Sequence, residues 1–103
     1  MITKKSDARK FLEKLTSGHL SIGRLLSSTR LGEEESQSVF ASRLGVTVSH
    51  LSDIENGRKG VSPERAAKFA RTLGLSEKQF VRIALQDELA RMGLDYKVNI
   101  EAA

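Results

Sequence analysis

Ser36–Gly57, SQSVFASRLGVTVSHLSDIENG, reads as two short helices joined by a tight turn. Ser36 is placed to cap the first helix, and Val39, Phe40, Ala41 and Leu44 gather on about one side of it. Gly45 supplies the left-handed residue that ends it. Thr47 caps a second helix whose Leu51 and Ile54 share an inner face, and Asn56-Gly57 closes it. Isolated helices shorter than about 12 residues are marginal in water, so these two must lean on each other and on neighbours. One polar face is then left free, which is the plan of a helix-turn-helix motif.

Around this stretch the chain alternates helices and stops. Residues 6–16 read as an N-terminal helix, with Ser6 as cap, Asp7 at the positive end, and Ala8, Phe11, Leu12 and Leu15 on one face. Thr16-Ser17-Gly18 ends it. A second helix starts at Ser21, with Leu20 and Leu25 as a hydrophobic staple and Ile22, Leu25, Leu26 and Leu31 as its core stripe. Glu33-Glu34-Glu35 reads as a solvated link. Beyond the motif, Ser62-Pro63 opens a helix with Ala66, Ala67, Phe69, Ala70 and Leu73 on its buried side, and Gly74 stops it. Ser76-Glu77-Lys78-Gln79 is a capping-box pattern, and the last helix runs through Val81, Ala84, Leu85 and Leu89 to end at Gly93. In Tyr96-Lys97-Val98-Asn99-Ile100-Glu101 apolar and polar residues alternate, a strand pattern. Two readings are open for this tail. It pairs with itself in another copy, through Tyr96, Val98 and Ile100, or it is a loose end packed on the last helix.

The expected architecture is a single all-α domain over residues 1–103, a compact helical bundle. Residues 1–18 form an N-terminal helical extension, 20–75 the helix-turn-helix core, and 76–103 a C-terminal helix and short β-strand serving dimerisation. Composition fits a soluble globular chain: 39% hydrophobic and 29% charged residues, with no run near the ~18 apolar residues of a membrane span. The absence of cysteine excludes disulfides and thiolate zinc sites and suits a reducing, cytoplasmic setting. Catalysis has little support. His19 and His50 stand in no metal-ligand spacing, and the many serines are explained as helix caps. No cofactor or metal is expected.

The net charge of +4 is unevenly spread. Residues 1–30 carry seven basic and two acidic side chains, whereas 36–65 carry four (Arg43, Arg58, Lys59, Arg65) against three (Asp53, Glu55, Glu64). The motif itself is therefore close to neutral.

Ser36-Gln37, Ala41, Gly45-Val46, Leu51, Ile54-Glu55, Gly57 and Arg58-Lys59 together resemble the helix-turn-helix family of the phage lambda and 434 repressors and Cro, the Xre family. The resemblance spans roughly residues 20–75 and implies a lambda repressor-like DNA-binding domain. It implies a structural pair, Arg30 with Glu55. It also implies that the second motif helix enters the major groove, with Val48, Ser49 and Asp53 toward the bases and His50 nearby. Gln37 would bond a phosphate and brace that helix, while Ser36, Thr47, Asn56, Arg58 and Lys59 are placed for backbone contacts. Val48 suits a thymine methyl, and Asp53 a cytosine amino group. For Val48 and Ser49 the plainer reading is two exposed helix residues without a role. Glu35 replaces the apolar residue usual before Ser-Gln, so packing at that corner is expected to differ.

These expectations describe a dimeric, sequence-specific regulator of double-stranded DNA that represses its own operon from a palindromic operator. The family likeness adds an antitoxin role, with a toxin protein held by a terminal segment. The rival is a protein–protein interaction module whose main partner is another protein, and the weak charge of residues 36–65 keeps it open.

Overall fold

The computed structural model describes residues 20–103, and the helix expected over residues 6–16, like His19, lies outside the described residues. Five helices follow in order: α1 (Ile22–Gly32), α2 (Gln37–Leu44), α3 (Val48–Glu55), α4 (Pro63–Leu73) and α5 (Glu77–Arg91). Each begins at a hydroxyl cap. The side chains of Ser21, Ser36, Thr47, Ser62 and Ser76 accept from the backbone N–H three residues on, satisfying donors that the helix cannot. Gly45 and Gly74 end α2 and α4 in the left-handed conformation, at φ 73° and 69°.

One core joins all five. Ile22 and Leu26 from α1, Phe40, Ala41 and Leu44 from α2, and Leu51 and Ile54 from α3 meet Val61, Ala66, Phe69 and Ala70. Phe80, Ile83 and Ala84 of α5 close it from the other side. The start of α1 is tied across the molecule, where the buried Asp87 of α5 accepts from Ile22 N at 2.7 Å. A carboxylate there satisfies an orphan donor and sits at the positive end of the helix.

Several expectations are corrected. Leu31 is 62% exposed, because the last turn of α1 has run past the core. Val39 is likewise exposed, in the first turn of α2. The acidic link is no mere spacer. Glu33 and Glu35 both accept from Arg43 at 2.6 Å, and Glu34 takes a left-handed φ of 56° between them. Arg43 in turn lies 5.7 Å from the Phe40 ring centroid, and its pKa is raised by the bonds to Glu35 and Glu33. Glu35 thus turns toward an arginine where an apolar residue would turn inward.

The expected C-terminal β-strand is absent, and residues 94–103 carry no regular secondary structure. No other strand exists among the described residues to pair with them. Instead the Gln86 side chain holds the tail, donating to Tyr96 O at 2.6 Å and accepting from Val98 N at 2.9 Å.

Candidate nucleic-acid interface

α2, the turn at Gly45 and α3 form a hairpin whose outer side is α3. Leu51, Ile54 and Glu55 are buried, so the helix has one registration against the body. That leaves Val48, 45% exposed, and Ser49 at its open first turn, with His50 half-buried beside them. Thr47 Oγ1 accepts from His50 N, which leaves its hydroxyl proton free to point outward.

Two features fix the rear of α3. The first is Gly23. A Cβ built on it would stand 2.1 Å from the Ile54 carbonyl oxygen, so α1 crosses α3 at backbone contact and only glycine fits. Glycine is a poorer helix former than alanine, and its place in the first turn of α1 was the available signal for a close approach.

The second is an ionic cluster. Arg30 Nε donates to Glu55 Oε2 at 2.9 Å and its Nη2 to Oε1 at 3.0 Å, a two-bond fork. Gln37 Nε2 donates to the same Oε1 at 3.0 Å, and Arg30 Nη1 to Glu35 O at 3.1 Å. Glu55 is only 7% exposed, so its charge depends on these donors. The hydrogen bond to Glu55 raises the Arg30 pKa, against the opposing effect of burial. The expected pair is thus in place, and Gln37 makes it a triad that braces α3 from α2.

Asp53 is engaged by the loop after α3. Arg58 Nε donates to its Oδ1 at 2.8 Å, and Lys59 Nζ lies 3.7 Å from Oδ2. The bond from Arg58 holds the Asp53 carboxyl below its usual pKa, with the charges of Arg58 and Lys59 acting in the same direction. Backbone N–H groups of Arg58 and Lys59 also close on Asp53 O at 2.8 and 3.2 Å, folding the loop back onto α3. Asn56 is engaged as well, its amide donating to Ser52 O at 2.8 Å. Ser36 Oγ accepts from Val39 N.

One cation went unnoticed in the motif-based reading. Arg65, in the first turn of α4, has its Nη1 3.4 Å from His50 Nε2 and is otherwise exposed. Its spacing from the motif carries no periodic signal, since the loop after α3 decides where α4 begins. Arg91 reaches the same loop from the end of α5, donating to Gly57 O at 3.3 Å. The outer side of α3 is therefore flanked by Arg58 and Lys59 at one end and Arg65 at the other. Tyr96, Val98 and Ile100 belong to the tail on α5 and join none of these contacts.

Among the described residues, no group of His, Asp and Glu could hold a metal ion, and no helix is long and apolar enough to cross a membrane. No curated protein and no solved structure matches the chain. A family model described as helix-turn-helix does match, over residues 36–80, which takes in α2, α3, α4 and the start of α5. With its glycine turn, its braced second helix and this match, the stretch 36–80 belongs to the Xre and lambda repressor-like helix-turn-helix family of DNA-binding regulators.

Proposed function

We propose that the chain is a sequence-specific regulator of double-stranded DNA, acting in two copies on a palindromic operator as a repressor of its own operon. The observation that carries this is the first turn of α3. It is exposed at Val48 and Ser49 while its rear is pinned by Gly23 and by the Arg30–Glu55–Gln37 triad. A rigid helix with an open polar N-terminal turn suits insertion into the major groove. Val48 meets a thymine methyl and Ser49 a base edge, with His50 beside them. Ser36, Thr47, Arg58, Lys59 and Arg65 serve phosphates, and Asn56 supports the helix end that carries them. Gln37 braces α3, and Asp53 holds Arg58 rather than a cytosine.

Within this reading, residues 20–75 are the reading head, residues 76–103 join the copies, and residues 1–18 are an extension that adds positive charge. Selection of bound sites from random duplex DNA, at a stated salt concentration, tests the proposal. The expected product is a palindrome with half-sites about one helical turn, roughly 34 Å, apart. No enrichment at low salt, with Ser49→Ala indistinguishable from the parent, overturns it.

The second reading, a module for binding another protein such as a toxin, has one observation in its favour. Met92, Leu94 and Tyr96 are exposed at one end of α5. A chain that selects no DNA yet forms a stoichiometric complex with the product of a neighbouring gene fits that reading instead.

A further inference from the structure

The tail beyond α5 is held by one side chain in a way that defines an unused edge. Gln86 Nε2 donates to Tyr96 O and Gln86 Oε1 accepts from Val98 N. These are the two bonds that a single residue of a neighbouring strand makes to the residues flanking its partner. The Gln86 carboxamide therefore stands in for a strand along the inner edge of the tail. Backbone groups alternate in direction along an extended chain. With those of Tyr96 and Val98 turned toward α5, those of Lys97 and Asn99 turn away, and they bond to nothing among the described residues. Val98 and Ile100 are half-buried while Lys97, Asn99 and Glu101 are exposed. Burial thus alternates over residues 97–101 as it does along an extended segment, although the tail lies in no sheet.

We infer that this edge pairs antiparallel with residues 95–101 of a second copy, and that Gln86 is the positioning residue that prepares it. This rests on the two-copy reading above and gives it a location. An exposed edge of free N–H and C=O groups is a template for another extended segment. The sequence of the edge says which. When Asn99 lies opposite Asn99 of the second copy, Lys97 faces Glu101 in both directions, and Val98 faces Ile100 in both. Two opposite-charge pairs and two apolar pairs result from one two-fold axis. Shifting the axis to Lys97 opposes two lysines, and shifting it to Val98 opposes Asp95 and Glu101. Charge thus disfavours both of these alternatives, and of the two-fold registers only the Asn99 axis also sets Val98 against Ile100, beside the exposed Tyr96.

The test is the mass of the full chain in solution, measured without DNA over a range of concentrations. The parent is expected to be dimeric. Lys97→Glu and Glu101→Lys each turn two attractive pairs into repulsive ones and should weaken the dimer on the order of tenfold. Lys97→Glu with Glu101→Lys restores opposite pairing and should recover the dimer. Asn99→Pro removes an outward N–H and leaves the two Gln86 bonds in place, so it should dissociate the copies without lowering helix content. Gln86→Ala should do the same by releasing the tail. A monomeric parent, an Asn99→Pro chain that stays dimeric, or single charge variants that the double variant does not rescue would each overturn the inference. A dimer that selects no DNA overturns only the proposed function, and a monomer that selects DNA overturns only the pairing.

Discussion

Replacing Arg30 by alanine is the sharpest test of how α3 is held. The substitution removes both bonds of the fork to Glu55 and the bond to Glu35 O, and leaves Gln37 Nε2 as the remaining donor to the Glu55 carboxylate. The Glu55 side chain is 5% exposed and that of Arg30 14%, so the pair is largely shut off from water. Removing one partner of a buried pair costs about 3–5 kcal/mol, most of it the penalty of a bare charge. Domains of this size have total stabilities of only about 5–15 kcal/mol, and each kcal/mol moves the melting temperature by roughly 4–8 °C. Arg30→Ala should therefore lower the melting temperature by about 15 °C or more, followed by far-ultraviolet circular dichroism. Arg30→Ala with Glu55→Gln supplies the control. It deletes the charge and keeps a side chain that bonds Gln37, so it should regain part of the loss. Arg30→Lys should fall between, because an ammonium cannot form the fork. A single variant melting within a degree or two of the parent, or a double variant no better than the single, refutes the reasoning.

Gly23→Ala should destabilise by about 1–3 kcal/mol in urea unfolding, although alanine normally favours a helix, because its Cβ meets the Ile54 carbonyl. By carbon-13 NMR the Asp53 carboxyl should titrate below the usual aspartate range, and Arg58→Ala should move it upward. Because the folded-state pKa is lowered, the pair contributes above the unfolded pKa and fades as pH falls through the folded one. Asp53→Asn removes a negative charge near the phosphates, yet it should weaken binding to the selected operator and to random DNA alike, because Arg58, a phosphate contact, loses its charged anchor. Tighter specific binding would mean that Asp53 acts only by repulsion. Arg65→Ala should flatten the dependence of log affinity on log salt by about 0.9, the share of one phosphate contact, whatever the DNA sequence.

The parts of this fold that were legible in the sequence are those whose partners are near in the chain. Ser36 and Thr47 cap through donors three residues away, and Gly45 turns within the same motif, so spacing alone reveals them. Leu31 was misplaced because a helical stripe extrapolates evenly, whereas the core stops facing α1 after Leu26. Gly23 and Ile54, Gln86 and Tyr96, and Ile22 and Asp87 meet only after the helices pack. Nothing in their spacing announces those contacts. The site divides in the same way. Glu55 could be assigned to Arg30 through the family likeness, but the capture of Asp53 by Arg58 depends on how the loop after α3 folds back.

That capture changes the meaning of the motif's charge. Counted along the sequence, Asp53 and Glu55 offset the arginines and leave residues 36–65 nearly neutral. In the fold the two carboxylates do different things. Glu55 faces inward and is balanced by Arg30, from outside the motif, so it subtracts nothing from the outer face. Asp53 is balanced by Arg58 through Nε, so the two Nη groups of that exposed arginine are not used in the bond. Lys59 and Arg65 are then cations at the two ends of α3, separated by the uncharged Val48 and Ser49. Such a face suits phosphate contacts at its rim and apolar or hydroxyl contacts at its centre, with no side chain able to read guanine in two bonds from α3. One copy has few specific contacts to offer. On the proposed two-copy reading, affinity for a defined site comes from placing two such faces at a fixed spacing, and the geometry of the C-terminal edge then matters to recognition as much as α3 itself.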